Sequence, residues 1–243
     1  MKLRLVHLYP DLMNLYGSYG NLVVLGRLLE RCGHEAEILP VEPGQEADFT
    51  QADYVFMGAG TERRQAFAGA DFLRFGPSLL DAAEDGVPML FCGTAMELLG
   101  ERVVTRTGET FSGIGLGAFR SRQGNQRRVE DVYGYSDLSP DPVVGFMNKC
   151  SDIEGIETPL LRELNMGWGN DGEKRPEGFC RNNVWASELT GPLLVKNPRL
   201  LEKTASAILS RRGESLPDPI PRDPWAEQGW TVTERELRLR WER

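Results

Sequence analysis

The sequence predicts an α/β fold in which a parallel sheet carries helices on both faces. Three observations carry that expectation. Residues 2–9 alternate apolar with polar side chains, and residues 53–57 and 88–92 are short apolar runs of the kind that fill buried parallel strands. Segments with helical spacing lie between these runs, so strand and helix alternate along the chain. The run at 53–57 leads directly into Gly58-Ala59-Gly60, a turn signal at the end of a strand.

The elements follow in order. Residues 2–9 form the first strand. Residues 21–32 carry Leu22, Leu25, Leu28 and Leu29 at helical spacing, and Gly33 follows as a C-terminal cap. Residues 35–41 read as a second strand and 53–57 as a third. Residues 66–85 read as helix, broken at Gly76-Pro77, and residues 88–92 as the next buried strand before a helix that begins at 95–99. The texture then changes. Strands are expected at 103–106, 128–135, 143–148 and 183–189, with turn-rich pieces between them. Asn197 and Pro198 fit the N-cap and first turn of a helix running to about residue 211. Residues 215–224 are proline-rich and read as extended, and residues 233–243 as a short basic helix.

With 243 residues, the chain suits one domain with a small appendage, divided as 1–212 and 213–243. Hydrophobic residues make up 40% and charged residues 26%, an ordinary globular balance. The formal charge of −8 argues against binding nucleic acid through its phosphates. No apolar stretch reaches the length of a membrane span, and the N-terminus reads as a strand rather than a signal peptide. Cys32, Cys92, Cys150 and Cys180 are widely and irregularly spaced. They suggest reduced thiols in a cytoplasmic protein and no metal clip. No cofactor is implied. Only two histidines exist, His7 and His34, which matters because most hydrolytic mechanisms use a histidine base. His7 reads as a turn-stabilising residue and His34 as exposed.

Several segments, in order, carry a family likeness. They are LYPDLMNLYG at 8–17 followed by Gly20-Asn21, DYVFMGAG at 53–60 with Gln65, and LLG at 98–100. GLG at 115–117, VGF at 144–146 with Asn148, and GWGN at 167–170 follow. Glu177-Gly178 and GPLLVKNP at 191–198 complete the set. Together they span roughly residues 1–212 and resemble the GatD family, the glutaminase subunits of lipid II isoglutaminyl synthases. The resemblance implies a class-I glutamine amidotransferase-like fold: a flavodoxin-like parallel sheet flanked by helices, with extra antiparallel strands. It also implies a Mur-ligase-like partner (MurT) and glutamine as the ammonia source for amidating the glutamate of the peptidoglycan stem peptide.

Glutamine hydrolysis through a thioester needs a cysteine thiolate on a sharp strand-to-helix turn. It also needs a histidine and backbone N–H groups that stabilise an oxyanion. The family places its cysteine in a Cys-Gly-Gly-Tyr-Gln-x-Leu-Gly turn and its histidine in Leu-His-Gly-Pro-Leu. Here Thr190 stands in the histidine position, within LTGPL at 189–193, and Glu188 is a surface residue or a substitute base. Counting forward from Pro88 or back from Gly100 places Gly93 in the cysteine position, with Cys92 as the last strand residue facing the other side of the sheet. Two assignments stay open: a non-hydrolytic site with Gly93 and Thr190 as degenerate positions, or a shifted turn in which Cys92 is the nucleophile. The resemblance further implies oxyanion contacts at Ala59, Gly60 and Gly93 and a glutamine contact at Arg127, with Arg128 as its neighbour and alternative. The family's Asn-His-Gly-Gly-Arg reads here Asn148-Lys149-Cys150-Ser151-Asp152, with Cys150 expected in a turn. A third reading is a binding or scaffold module, with Trp225, Trp230 and Trp241 as an exposed partner surface.

Overall fold

The structure, a computed structural model, describes residues 1–173 and 176–243. The chain runs through β1 (Lys2–Leu8), α1 (Gly20–Arg31), β2 (Glu35–Val41), β3 (Tyr54–Met57), α2 (Glu62–Phe72), α3 (Gly76–Glu84), β4 (Met89–Cys92) and α4 (Thr94–Glu97). It continues through β5 (Arg102–Val104), β6 (Thr110–Ser112), β7 (Arg120–Tyr135), β8 (Val143–Glu154), β9 (Glu163–Met166), β10 (Phe179–Arg181) and β11 (Val184–Ser187). Helices α5 (Leu193–Lys196), α6 (Pro198–Arg211) and α7 (Pro224–Trp241) close it.

Among the described residues the strands form two sheets. The first has the order β10-β11-β4-β3-β1-β2 and is parallel except for β10, which pairs antiparallel with β11. The second is built on the long antiparallel pair β7–β8, with β5 and β6 on one side and β9 against the end of β7. This is the α/β class the sequence predicts, with a parallel core and added antiparallel strands.

The two-residue alternation of each strand sorts the core into two layers. Val6, Leu8, Val55, Met57, Met89 and Phe91 face the layer that contains Phe72, Phe75 and Leu79 of the α2–α3 region. Leu3, Leu5, Tyr54, Phe56, Leu90 and Cys92 face the layer of α1 and α6, with Leu25, Leu29 and Ile208. Strands β3, β4 and β11 bury all their residues, as parallel strands covered on both faces must.

The structure corrects several sequence expectations. Strands β7 and β8 are longer than their apolar signal. Cys150 lies within β8 and not in a turn. The strand expected over 183–189 ends at Ser187, so Glu188 and Thr190 follow it on a loop. Asn197 does not cap α6 with its side chain. Its Oδ1 accepts from Val144 N–H at 2.8 Å, and its Nδ2 donates to the carbonyls of Val144 and Leu193. That amide pins the start of α6 to β8. The C-terminal helix starts at Pro224 rather than near residue 233, because Asp223 caps it by accepting from Trp225 N–H and proline suits a first turn. Trp230 is half-buried, its indole N–H donating to the Pro142 carbonyl at 3.1 Å. Trp225 and Trp241 are exposed. His34 is partly covered. His7 is buried against Phe56 and held down to about 4 by that burial, so it is a neutral core residue rather than a turn prop.

Candidate functional site

The turn from β4 to α4 is where strand geometry forces an unusual backbone. Gly93 sits there with φ 59° and ψ −134°, a conformation that a residue with a Cβ adopts only under strain. Its N–H donates to the Ser187 carbonyl at 2.7 Å, which continues the β4–β11 ladder one step into the turn. A Cβ placed on Gly93 would lie 2.6 Å from the Ala59 Cβ and 3.6 Å from Thr190 Cγ2. The three loops that carry residues 59, 93 and 190 therefore meet at one point, at the C-terminal edge of the parallel sheet. Crevices at that edge are the usual ligand sites of open α/β sheets.

A cavity of about 310 Å³ opens at this point. Ala59, Gly60, Gly93, Arg127 and Thr190 all line it. Cys92 does not. It is fully buried in the α1–α6 layer, and burial raises its thiol well above the ordinary range. The N–H groups at the turn are already engaged: Gly60 donates to Thr94 Oγ1 at 3.0 Å, Ala59 to Ser18 Oγ at 3.4 Å and Gly93 to Ser187. Arg127 pairs with Glu62 of α2 and donates to Asn148 Oδ1 at 3.0 Å. Arg128, the neighbouring alternative, turns to Asp152 at 2.7 Å and lies outside the cavity lining.

The remaining cavity wall is more polar than the sequence suggests. Lys149 is buried and pairs with Glu188, and its ammonium also donates to the carbonyls of Gly169 at 2.8 Å and Asn170 at 3.2 Å. Glu188 is thus a buried ion-pair member and not a surface residue. Burial pushes its carboxyl up, with the Lys149 charge pulling the other way. Behind it, Glu177 accepts from Ser187 Oγ and from Glu188 N–H. Burial, then the Glu188 charge, raises it to about 7. Glu97 is raised to about 7 by the same two causes in the same order. Cys150 donates from Sγ to Glu62 Oε1 at 3.2 Å, and burial, then Glu62, pushes its thiol up to about 12.

Glu62 and Glu97 escaped the sequence analysis. For Glu97 a signal existed: it occupies the position of glutamine in the Cys-Gly-Gly-Tyr-Gln-x-Leu-Gly turn, once Gly93 is set at its first residue. For Glu62 no sequence signal distinguishes it from any acidic residue in the first turn of a helix.

Fold and cavity together define a class: an α/β protein whose cavity lies at a strand-to-helix turn on the C-terminal edge of a parallel sheet. Similarity to known proteins supplies the family. The CobB/CobQ-like glutamine amidotransferase domain matches residues 4–198, and the chain belongs to that family. It is similar to the GatD subunit of the glutamine-hydrolysing lipid II isoglutaminyl synthase of Staphylococcus aureus, at 26% identity over 92% of this chain and 88% of that one. The GatD subunit of Streptococcus pneumoniae is 28% identical over 91% of this chain and 86% of its own. Among solved structures, a chain of PurLQS from Thermotoga maritima aligns with a TM-score of 0.53 at 13% identity, over 87% of this chain and 97% of that one. A structure described as a glutamine amidotransferase aligns at 0.51 and 16% identity, over 84% of this chain and 98% of that one. These likenesses concern the fold. Among the described residues no helix is long and apolar enough to cross a membrane.

Proposed function

We propose that this chain is a cytoplasmic GatD-type subunit that serves a MurT-like Mur ligase in lipid II amidation and does not itself hydrolyse glutamine. Its amidotransferase-like domain spans residues 1–212, with 213–243 as an extension. The lipid II assignment rests on the names of the two GatD relatives and their coverage of nearly the whole chain.

The observation that carries the non-hydrolytic part is the turn at Gly93. Thioester formation needs a thiolate at the tip of that turn. The turn offers a hydrogen there, and the space a side chain would enter is filled by the Ala59 methyl. The facing residue is Thr190, whose hydroxyl donates to the Phe146 carbonyl at 3.3 Å and does not titrate near neutral pH. Among the described residues lining the cavity, Cys150 is the one thiol. With its proton held to about 12 it is not a thiolate at neutral pH.

The test is ammonia release from glutamine by the purified chain, alone and with a co-expressed Mur-ligase-like partner. Labelling with diazo-oxo-norleucine, an electrophilic glutamine analogue, runs in parallel. The expected result is no turnover and no adduct, with amidation by the complex supported by free ammonium. Glutamine turnover that Cys92→Ala abolishes would overturn the reading in favour of an active glutaminase.

A further inference from the structure

A second cavity, of about 440 Å³, lies beside the α1–α6 layer and shares no lining residue with the one at Gly93. Its walls are mostly apolar. They come from Val24 and Leu28 of α1, Leu194 of α5, Leu201 of α6, the 220–223 segment and the first half of α7. Close packing is the rule inside proteins, and an apolar hollow of this size falls within the roughly 300–1,000 Å³ range of ligand sites.

The hollow stays open because of how α7 is held. That helix is pinned at Trp230, whose indole N–H reaches the Pro142 carbonyl, and at Leu237, which packs with Tyr133, Val144 and Met166. Beside that pinned side, α7 turns Trp225, Ala226, Gly229, Trp230 and Thr233 to the cavity. At the turn of an α-helix these fall on one face, with Gly229 near its middle. A Cβ on Gly229 would meet nothing within 4 Å. The helix thus bridges the hollow without filling it.

The charged groups around the hollow are unevenly satisfied. Its three carboxylates are all paired: Glu202 with Arg199 and Arg222, Asp223 with Arg31, and Glu227 with Arg199. Two cations are left over, Arg27 of α1 and Lys196 at the end of α5. Both are exposed, and neither side chain has an ion pair or hydrogen bond among the described residues. On a chain of formal charge −8, this is a local excess of positive charge beside an apolar hollow.

We propose that this cavity binds a free single-chain aliphatic carboxylate, its tail against Leu28, Leu194 and Leu201 and its head on Arg27 and Lys196. The apolar walls call for a hydrocarbon body, and an anion complements the two unpaired cations. The Arg27 guanidinium presents a fork of N–H donors that matches the two oxygens of a carboxylate. A hollow walled by parts of four helices suits one flexible tail better than a flat partner surface. The site is separate from the Gly93 cavity, and glutamine chemistry there neither requires nor forbids it.

Titration calorimetry on the full chain tests this with hexanoate, octanoate, n-octanol and n-octylammonium, each below its micelle concentration. Octanoate should bind about tenfold more tightly than hexanoate, since each buried methylene contributes about three- to fourfold. It should bind at least about tenfold more tightly than n-octanol or n-octylammonium, which lack the charge-assisted contacts. Arg27→Gln/Lys196→Gln should bring octanoate down to the affinity of n-octanol and leave n-octanol unchanged. Gly229→Leu places a side chain in the hollow and should weaken octanoate and n-octanol alike by at least about tenfold. All three positions are exposed, and thermal unfolding checks that the variants fold. Absent octanoate binding, equal affinity for octanoate and n-octylammonium, or an octanoate affinity unmoved by either variant overturns the proposal. Co-sedimentation with phosphatidylglycerol vesicles, or a dimer in analytical ultracentrifugation, in place of octanoate binding would assign the hollow to a membrane surface or a second copy and overturn it equally.

Discussion

Strands β3, β4 and β11 bury every residue and carry no charge, whereas β7 and β8 mix exposed, half-buried and charged positions along their length. The two regions meet at the cavity beside Gly93 and contribute different things to it. The parallel sheet contributes backbone geometry: a turn so tight that residue 93 has positive φ and no room for a side chain. The antiparallel pair contributes charge: Arg127 from β7 and Lys149 from β8, each tied to a carboxylate from elsewhere. One region tolerates change in size poorly, and the other tolerates change in charge poorly. That difference is open to experiment.

The largest effect is expected in the charged half. Lys149→Met leaves Glu188 buried without its partner, beside Glu97 and Glu177, and should cost about 3–5 kcal/mol in urea denaturation. The double variant Lys149→Met/Glu188→Leu should recover most of that loss, because an apolar pair of similar volume replaces the ion pair without a stranded charge. A double variant as unstable as the single one would show that the pair is not the reason.

The geometric half should respond next. Gly93→Ala must accept positive φ and a 2.6 Å approach to Ala59, a cost of about 2–4 kcal/mol from strain and overpacking combined. Adding Ala59→Gly removes the overlap but not the strained φ, so it should restore part of the stability and not all of it. Full additivity of the two substitutions would break the claim that residues 59 and 93 share one space.

The same glutamates set a pH dependence with a definite sign. Glu97 and Glu177 are raised to about 7, against roughly 4.3 for an unperturbed glutamate, so between those values the folded state binds more protons than the unfolded one. Their contribution falls as pH rises through that window. His7, lowered to about 4, acts oppositely, but only below its ordinary value near 6.5. Stability should therefore fall from pH 6.5 to about 7 and level off above that value, and Glu97→Gln should flatten the fall. The smallest effect is on the surface: Trp225 is 79% exposed, and Trp225→Ser should shift stability by no more than about 0.5 kcal/mol.

The two regions also differ in how far the sequence revealed them. Apolar runs and their spacing marked β1, β3 and β4 to within a residue or two, because strands buried on both faces leave little choice of side chain. The long β7 was cut short, since its first half is largely exposed and reads as polar. Strands β6, β9 and β10 and helix α5 have no counterpart in the sequence pattern, being short pieces held by their neighbours more than by their own periodicity. At the cavity, Ala59, Gly60, Gly93, Arg127 and Thr190 were named from motif position alone. Glu188 reads in the sequence as a surface residue or a substitute base, whereas the structure makes it a buried ion-pair partner of Lys149. Nothing local in a sequence tells a buried pair from two solvated charges, because the distinction depends on what packs over them.

By itself, then, the sequence determined the parallel α/β core and placed a residue without a side chain between Cys92 and Thr94. Periodicity and a fixed count from Pro88 to Gly100 are properties of the chain alone. Tertiary structure decided the rest: that Cys92 faces the α1–α6 layer, that the loops carrying residues 59, 93 and 190 converge, and that Arg127 and Lys149 each meet a carboxylate in the wall of one cavity. Those outcomes depend on which distant segments share a volume from which water is excluded, and there the pairing of each charge is set by its neighbours in space rather than by its neighbours in sequence.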